Sequence, residues 1–90
     1  MMISLKMQKA LNAQIGMEFA AAMKYDAMAA HFEAEALPQA AKRFFKQASE
    51  EREHAHKFLR YVLDAGGRVQ IPEIPAQPHT YKSSEAAAQA

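Results

Sequence analysis

Between Ser4 and Ala36 the apolar positions recur at helical intervals. Leu11, Ile15, Glu18, Ala22, Tyr25, Ala29 and Phe32 stand alternately four and three residues apart, the spacing of a seam along one face of an α-helix. The stretch has no proline, a single glycine (Gly16) and an abundance of Ala, Met, Lys, Glu and Gln, all good helix formers. Ser4 is placed to cap the first turn. Leu37-Pro38 breaks the pattern, because proline suits the first turn of a new helix and disfavours helical geometry in the residue before it. A second seam then steps through Phe44, Ala48, Glu51, Ala55, Phe58 and Val62. Its helix is predicted from about Gln39 to Ala65, with Gly66-Gly67 as the stop. At ~1.5 Å per residue the two helices span roughly 50 and 40 Å. Their short connection folds them into an antiparallel hairpin. The predicted class is all-α.

Residues 1–67 form this hairpin in the sequence reading, and residues 68–90 a proline-rich extended arm. Arg68-Val69-Gln70-Ile71-Pro72 suits a short extended segment, and Pro72, Pro75 and Pro78 forbid regular helix or sheet beyond it. Ser83-Ser84-Glu85-Ala86-Ala87-Ala88 reads as a helix start that ends almost as soon as it begins. Gly16 costs about 1 kcal/mol of helix propensity. It either admits a neighbouring helix at close range or is simply tolerated. A two-helix hairpin leaves one side of each seam open, and 90 residues bury little surface alone. A second copy of the chain, giving a four-helix bundle, is the simplest way to cover them.

Composition narrows the chemistry. There is no cysteine, so any metal must be held by oxygen and nitrogen ligands. The formal net charge is +1, and Lys and Arg are interleaved with Glu, so no basic stripe marks a nucleic-acid partner. No apolar run approaches the roughly 18 residues of a membrane span. Lys6 and Lys9 stand where a leader peptide would need its apolar segment. A cytoplasmic protein with neither a nucleic-acid nor a membrane partner is the expectation.

Each seam has one polar member, Glu18 in the first and Glu51 in the second, both near mid-helix and with no Lys or Arg in the same seam. One seam carboxylate alone reads as a frayed end or an interface ion pair. Two of them, each costing several kcal/mol to bury unpaired, call for a cation. His54 follows Glu51 by three residues and lies about 60° around the same helix, so it can reach the same ion. Four-helix bundles that hold two irons use one Glu from each of two helices and Glu-x-x-His from each of the other two. One hairpin of this chain supplies one of each, and two copies supply the set. The carboxylates of Glu18 and Glu51 from both copies then balance two divalent ions. Carboxylate-rich ligation favours iron or manganese, with zinc as a further alternative. Two iron ions per dimer, bound by Glu18, Glu51 and His54, are expected.

Tyr25 lies seven residues after Glu18 on the same face. It is either a core tyrosine hydrogen-bonded to a carboxylate or a redox residue beside the metals, and it is the candidate catalytic side chain. Glu50 points off the seam, to solvent or to a third metal. Glu53, His31 and His56 read as surface residues, and His79 carries no signal. Met7, Met17, Met23 and Met28 read as core or interface filler.

The runs Leu11–Tyr25 (LNAQIGMEFAAAMKY) and Phe44–Lys57 (FFKQASEEREHAHK), with Gly66-Gly67-Arg68-Val69, resemble the first two helices of non-haem bacterial ferritins and the turn after them. The resemblance extends from about residue 5 through the arm. It implies that Glu18, Glu51 and His54 are ferroxidase-centre ligands, with Glu51 bridging, and that Tyr25 is the tyrosine beside the centre. Ferritins are four-helix subunits with a long crossover, whereas this chain looks like half of one. The second-half ligands and much of the shell-forming surface have no counterpart in it. The implied function is oxidation of Fe(II) by dioxygen or peroxide at a homodimer interface. The alternative is a truncated ferritin acting as a non-catalytic metal-binding or helical dimerisation module, without iron storage.

Overall fold

The computed structural model describes residues 3–78. Within them the chain is all-helical: α1 runs Leu5–Ala34 and α2 runs Pro38–Asp64, packed antiparallel along their length in a body of 51 × 20 × 15 Å. Ser4 caps α1, its hydroxyl accepting from the Met7 amide at 3.1 Å. Pro38 opens α2 at its first position, where a missing N–H costs nothing. Ser83–Ala88 and His79 lie outside the described residues.

Both helices end in the same six-residue motif. Leu37 donates to the Phe32 carbonyl and Ala36 to Glu33 at the end of α1, as Gly67 donates to Val62 and Gly66 to Leu63 at the end of α2. The motif needs a left-handed residue. Gly66 supplies it freely at φ 79°, whereas Ala36 adopts φ 59° with a Cβ in place. Ala36→Gly should therefore raise stability by about 0.5–1 kcal/mol, the relief of left-handed strain exceeding the added chain entropy. Thermal denaturation would show this as a rise of a few degrees in Tm.

Each predicted seam divides into two columns. One column faces the other helix: Ile15, Ala22 and Ala29 from α1, and Ala48, Ala55 and Val62 from α2, extended one step before the predicted seam by Ala41, none more than 2% exposed. Most are alanines, so the helices approach closely. The other column, Leu11, Glu18 and Tyr25 with Phe44, Glu51 and Phe58, is only half-buried. It forms an open face that no residue of the described hairpin covers. At the loop end Met28, Phe32 and Ala41 make a small core, with Tyr25, Ala40 and Phe44 against it. Of the four methionines read as filler, only Met28 is buried; Met7, Met17 and Met23 are 51%, 64% and 41% exposed. His31 is half-buried rather than a surface residue, its ring edge-on to Phe32.

On the side away from the open face, residues 68–72 run back along α1. The Asn12 side chain donates to the Arg68 carbonyl at 3.0 Å and accepts from the Gln70 amide at 3.1 Å, while Gln8 accepts from the Arg68 amide at 2.9 Å. Asn12 is the buried polar residue of this contact, at 7% exposure. One turn further on, a Cβ on Gly16 would meet the Pro72 ring at 2.7 Å. The close approach that Gly16 allows is therefore that of the arm, not of a neighbouring helix. Gln8, Asn12 and Gly16, four residues apart, form a track that takes an extended chain.

Candidate metal centre

Antiparallel register sets Glu18 of α1 level with Glu51 of α2. His54, one turn along from Glu51, reaches back over both. Its Nδ1 lies 3.7 Å from Glu18 Oε2 and 3.6 Å from Glu51 Oε2. One donor atom from each of the three residues lies within 4.8 Å of the others, the only such cluster among the described residues. Both glutamates are 15% exposed and His54 is 51% exposed, because His54 stands at the edge of the open face.

Two further residues complete the arrangement, and neither stood out in the sequence. Gln14 donates to Glu18 Oε1 at 3.1 Å, and Gln47 donates to Glu51 Oε1 at 3.3 Å. Each glutamine lies one turn before its glutamate. Each amide fixes one carboxylate oxygen and leaves the other, Oε2, turned toward His54. The signal for them was the i, i+4 pairing of Gln with Glu on a helix, repeated in both helices.

Without a cation the two carboxylates shift each other's titration in opposite directions. A hydrogen bond with Glu51 is the main reason that Glu18 is held above its ordinary value of 4.5, with burial adding to it. The same bond is the main reason that Glu51 is held below that value, with Gln47 and His54 assisting. The stabilisation from Glu18 is thus fully present below its unfolded pKa and lost as pH rises through its raised folded pKa. That from Glu51 is present above its unfolded pKa and lost as pH falls through its lowered one. Both hold together only in a mildly acidic window around 4.5. For the metal-free protein, Tm measured against pH should fall from that window toward neutrality. Glu18→Gln should flatten the neutral limb and Glu51→Gln the acid limb.

The donor set fits a hard or borderline divalent cation: two inward-turned carboxylate oxygens and an imidazole nitrogen, with solvent access on the open side. Tyr25 is not part of this cluster. It lies one layer along the open face, its ring stacked on Phe44 at 6.0 Å, and Phe44 is in turn stacked on Phe32 at 5.3 Å. Glu50, Glu53 and His56 are exposed, His56 with its ring edge-on to Phe19. On the other side of the centre, Met7, Leu11, Phe58 and Tyr61 line a groove of about 560 Å³ that runs up to Glu18 and His54.

Comparison with known proteins gives the family of the chain. A family model described as a ferritin-like domain matches residues 8–90. Ferritin BfrB of Mycobacterium tuberculosis is 45% identical over 69 residues, 77% of this chain and 38% of its own length. The ferritin heavy chain of Echinococcus granulosus is 43% identical over 75 residues, 81% of this chain and 43% of its own. The open pore ferritin from the hyperthermophilic archaeon Archaeoglobus fulgidus superposes with a TM-score of 0.89 at 36% identity, over 97% of this chain and 53% of that one. The chain spans about two-fifths of the length of these curated relatives and about half of the solved structure. In sequence and in fold alike, the chain belongs to the ferritin-like domain family.

Proposed function

We propose that the chain binds iron through Glu18, Glu51 and His54 and oxidises Fe(II) to Fe(III) at a centre completed by a second copy. The observation that carries this reading is the convergence of three ligand atoms within 4.8 Å on a face left open. One chain offers too few donors to enclose a metal pair. Two chains related by a two-fold axis offer two Glu18, two Glu51 and two His54, enough for two ions with positions left for an oxidant. Iron is both the substrate and the source of electrons. Two Fe(II) give up one electron each, and dioxygen takes both with two protons to leave as hydrogen peroxide; peroxide as the oxidant takes two electrons and two protons to give water.

The residues have separable parts in this. The carboxylates of Glu18 and Glu51 neutralise the ions and favour the higher charge of Fe(III) over Fe(II). His54, at the rim, supplies the nitrogen donor. Gln14 and Gln47 hold the outer oxygens and so aim the inner ones. Tyr25, one layer away, is proposed as the redox-active side chain beside the centre, with Phe44 and Phe32 stacked behind it. Manganese or zinc fits the same donors, and a cytoplasmic location suits a reduced iron supply. Among the described residues no helix is long and apolar enough to cross a membrane.

The test is Fe(II)-dependent oxygen consumption by the purified protein, read together with its mass under native conditions. Oxygen uptake with two irons retained per dimer is expected. Iron bound but oxidised by neither dioxygen nor added peroxide would replace this reading with that of a non-catalytic metal-binding module.

A further inference from the structure

The buried column between the helices sets them close but does little to orient them. Near the candidate centre it consists of Ala22 on α1 with Ala48 and Ala55 on α2, none more than 1% exposed. A methyl group projects too little to act as a ridge in the groove of the opposite helix. The larger apolar contacts gather at the loop end, around Met28, Phe32 and Phe44. On the open side, level with Ala48 and Ala55, stand two carboxylates, which repel one another when both are ionised. What restrains α2 against rotation about its own axis lies on the other side of the column.

One residue turns a helix by about 100°, so consecutive residues straddle the column. Glu18 lies on the open side and Phe19 behind; Tyr25 and Asp26 divide in the same way, and so do Glu51 and Arg52. Behind the column Arg52 Nη1 donates to Asp26 Oδ2 at 2.7 Å. Among the described residues this is the one ion pair between the helices besides that of His54 with Glu18. It runs diagonally: Asp26 stands about two turns beyond Glu18 on α1, whereas Arg52 directly follows Glu51 on α2. Each side chain tilts toward the N-terminus of its own helix, and in antiparallel helices these two tilts point at one another. Nearer the centre, the rings of Phe19 and His56 meet edge-on with centroids 5.9 Å apart.

We infer that Asp26 and Arg52 are positioning residues, whose ion pair fixes the rotation of α2 and so keeps Glu51 turned toward Glu18 and His54. The inference rests on the proposed function for the ion that the three ligands bind. Glu51 and Arg52 are neighbours on one helix and turn together. A rotation that carries Glu51 away from Glu18 therefore also distorts the contact behind the column, and a diagonal strut resists lengthwise slip as well. Arg52 and Asp26 are 42% and 40% exposed, so the pair contributes little to overall stability. Its contribution is to orientation, and is read as metal affinity.

The test compares the parent with Asp26→Asn and with the exchange variant Asp26→Arg/Arg52→Asp, whose opposed tilts allow the pair to form again in reverse. Anaerobic Fe(II) titration well below Tm should show Asp26→Asn binding about two- to fivefold more weakly. In oxygen-uptake kinetics KM should rise by more than kcat falls. The exchange should recover most of the affinity. A second measurement needs no metal. The ring-current shift of the His56 ring protons, read by NMR at fixed pH, reports how α2 is turned against Phe19. It should change in Asp26→Asn, where the substitution is on the other helix, and return in the exchange. An Asp26→Asn protein with the parent's iron affinity and an unmoved His56 signal overturns the inference, as does an exchange that restores neither. A lower Tm with both signals unmoved makes the pair merely structural and overturns it too. A parent that binds no iron removes the metal centre, and the His56 signal then decides alone whether the pair orients α2.

Discussion

Replacing Glu51 with alanine should abolish iron-dependent oxygen consumption, with a loss on the order of 100-fold or more, while the metal-free protein stays folded. The magnitude follows from position. Loss of a residue that merely orients a metal ligand typically costs about 10–100-fold in affinity or activity, and Glu51 is proposed as a ligand to both ions. Its Oε2 is the oxygen turned toward His54, and its partner across the helix pair, Glu18, lies within the same 4.8 Å cluster. Stability should move differently from activity. In the absence of metal, Glu51 keeps Glu18 above its ordinary range, and Glu18 holds Glu51 below its own. Removing Glu51 relieves Glu18 but gives up the stability that Glu51 contributes above its unfolded pKa; the two effects oppose, and the Tm of the metal-free variant at neutral pH should stay close to that of the parent. Iron should stabilise the parent by about 2.7 kcal/mol at a hundredfold excess over Kd and so raise its Tm, and should not raise the Tm of Glu51→Ala. His54→Ala should lose less, since His54 is half exposed and gives one donor per chain. Gln47→Ala, which frees the outer oxygen of Glu51, should lose roughly tenfold. Unchanged activity in both Glu51→Ala and His54→Ala would sink the metal-centre reading.

Much of this was legible in the sequence because it is local or periodic. The hairpin, Ser4 as the cap, Pro38 at the start of α2 and Gly66 at its end each follow from one residue and its neighbours. The cluster of Glu18, Glu51 and His54, proposed as ligands, follows from seam position and from the three-residue step between Glu51 and His54. Periodicity could not tell the two columns of each seam apart. Ala22 and Glu18 belong to the same seam, yet one is covered by α2 and the other faces the open side. That distinction depends on the side to which the second helix packs. Asn12 and Gly16 were opaque for another reason. Their partners, Arg68, Gln70 and Pro72, lie more than fifty residues away along the chain, and nothing near Asn12 announces an arm. Gln14 and Gln47 were readable in principle. Each stands four residues before a seam glutamate, but glutamine on a helix usually means only good propensity.

Widening the alanine column should damage both stability and metal binding, and Ala48→Leu is the substitution that shows it. Ala48 is fully buried, with 0% of its surface exposed, one turn before Glu51 and level with Ala22 of α1, itself 1% exposed. Alanine at both positions lets the backbones come close, and that closeness is what brings donors from two helices within 4.8 Å. A leucine side chain has no cavity to enter there. Overpacking of this kind costs about 1–3 kcal/mol, which for a domain of this size lowers Tm by roughly 4–8 °C per kcal/mol. The helices can relieve the strain only by moving apart or rotating, and either motion separates Glu18 from Glu51. Iron affinity should therefore fall at least about tenfold even at temperatures where the variant remains folded, given how sharply misplacement weakens a positioned site. Ala48→Ser, nearly the same size, should keep the spacing and most of the activity. Iron titration of both variants well below their Tm, with circular dichroism to confirm folding, makes the comparison. An Ala48→Leu protein that melts with the parent and binds iron as tightly would mean that close helix approach does not set the site's geometry.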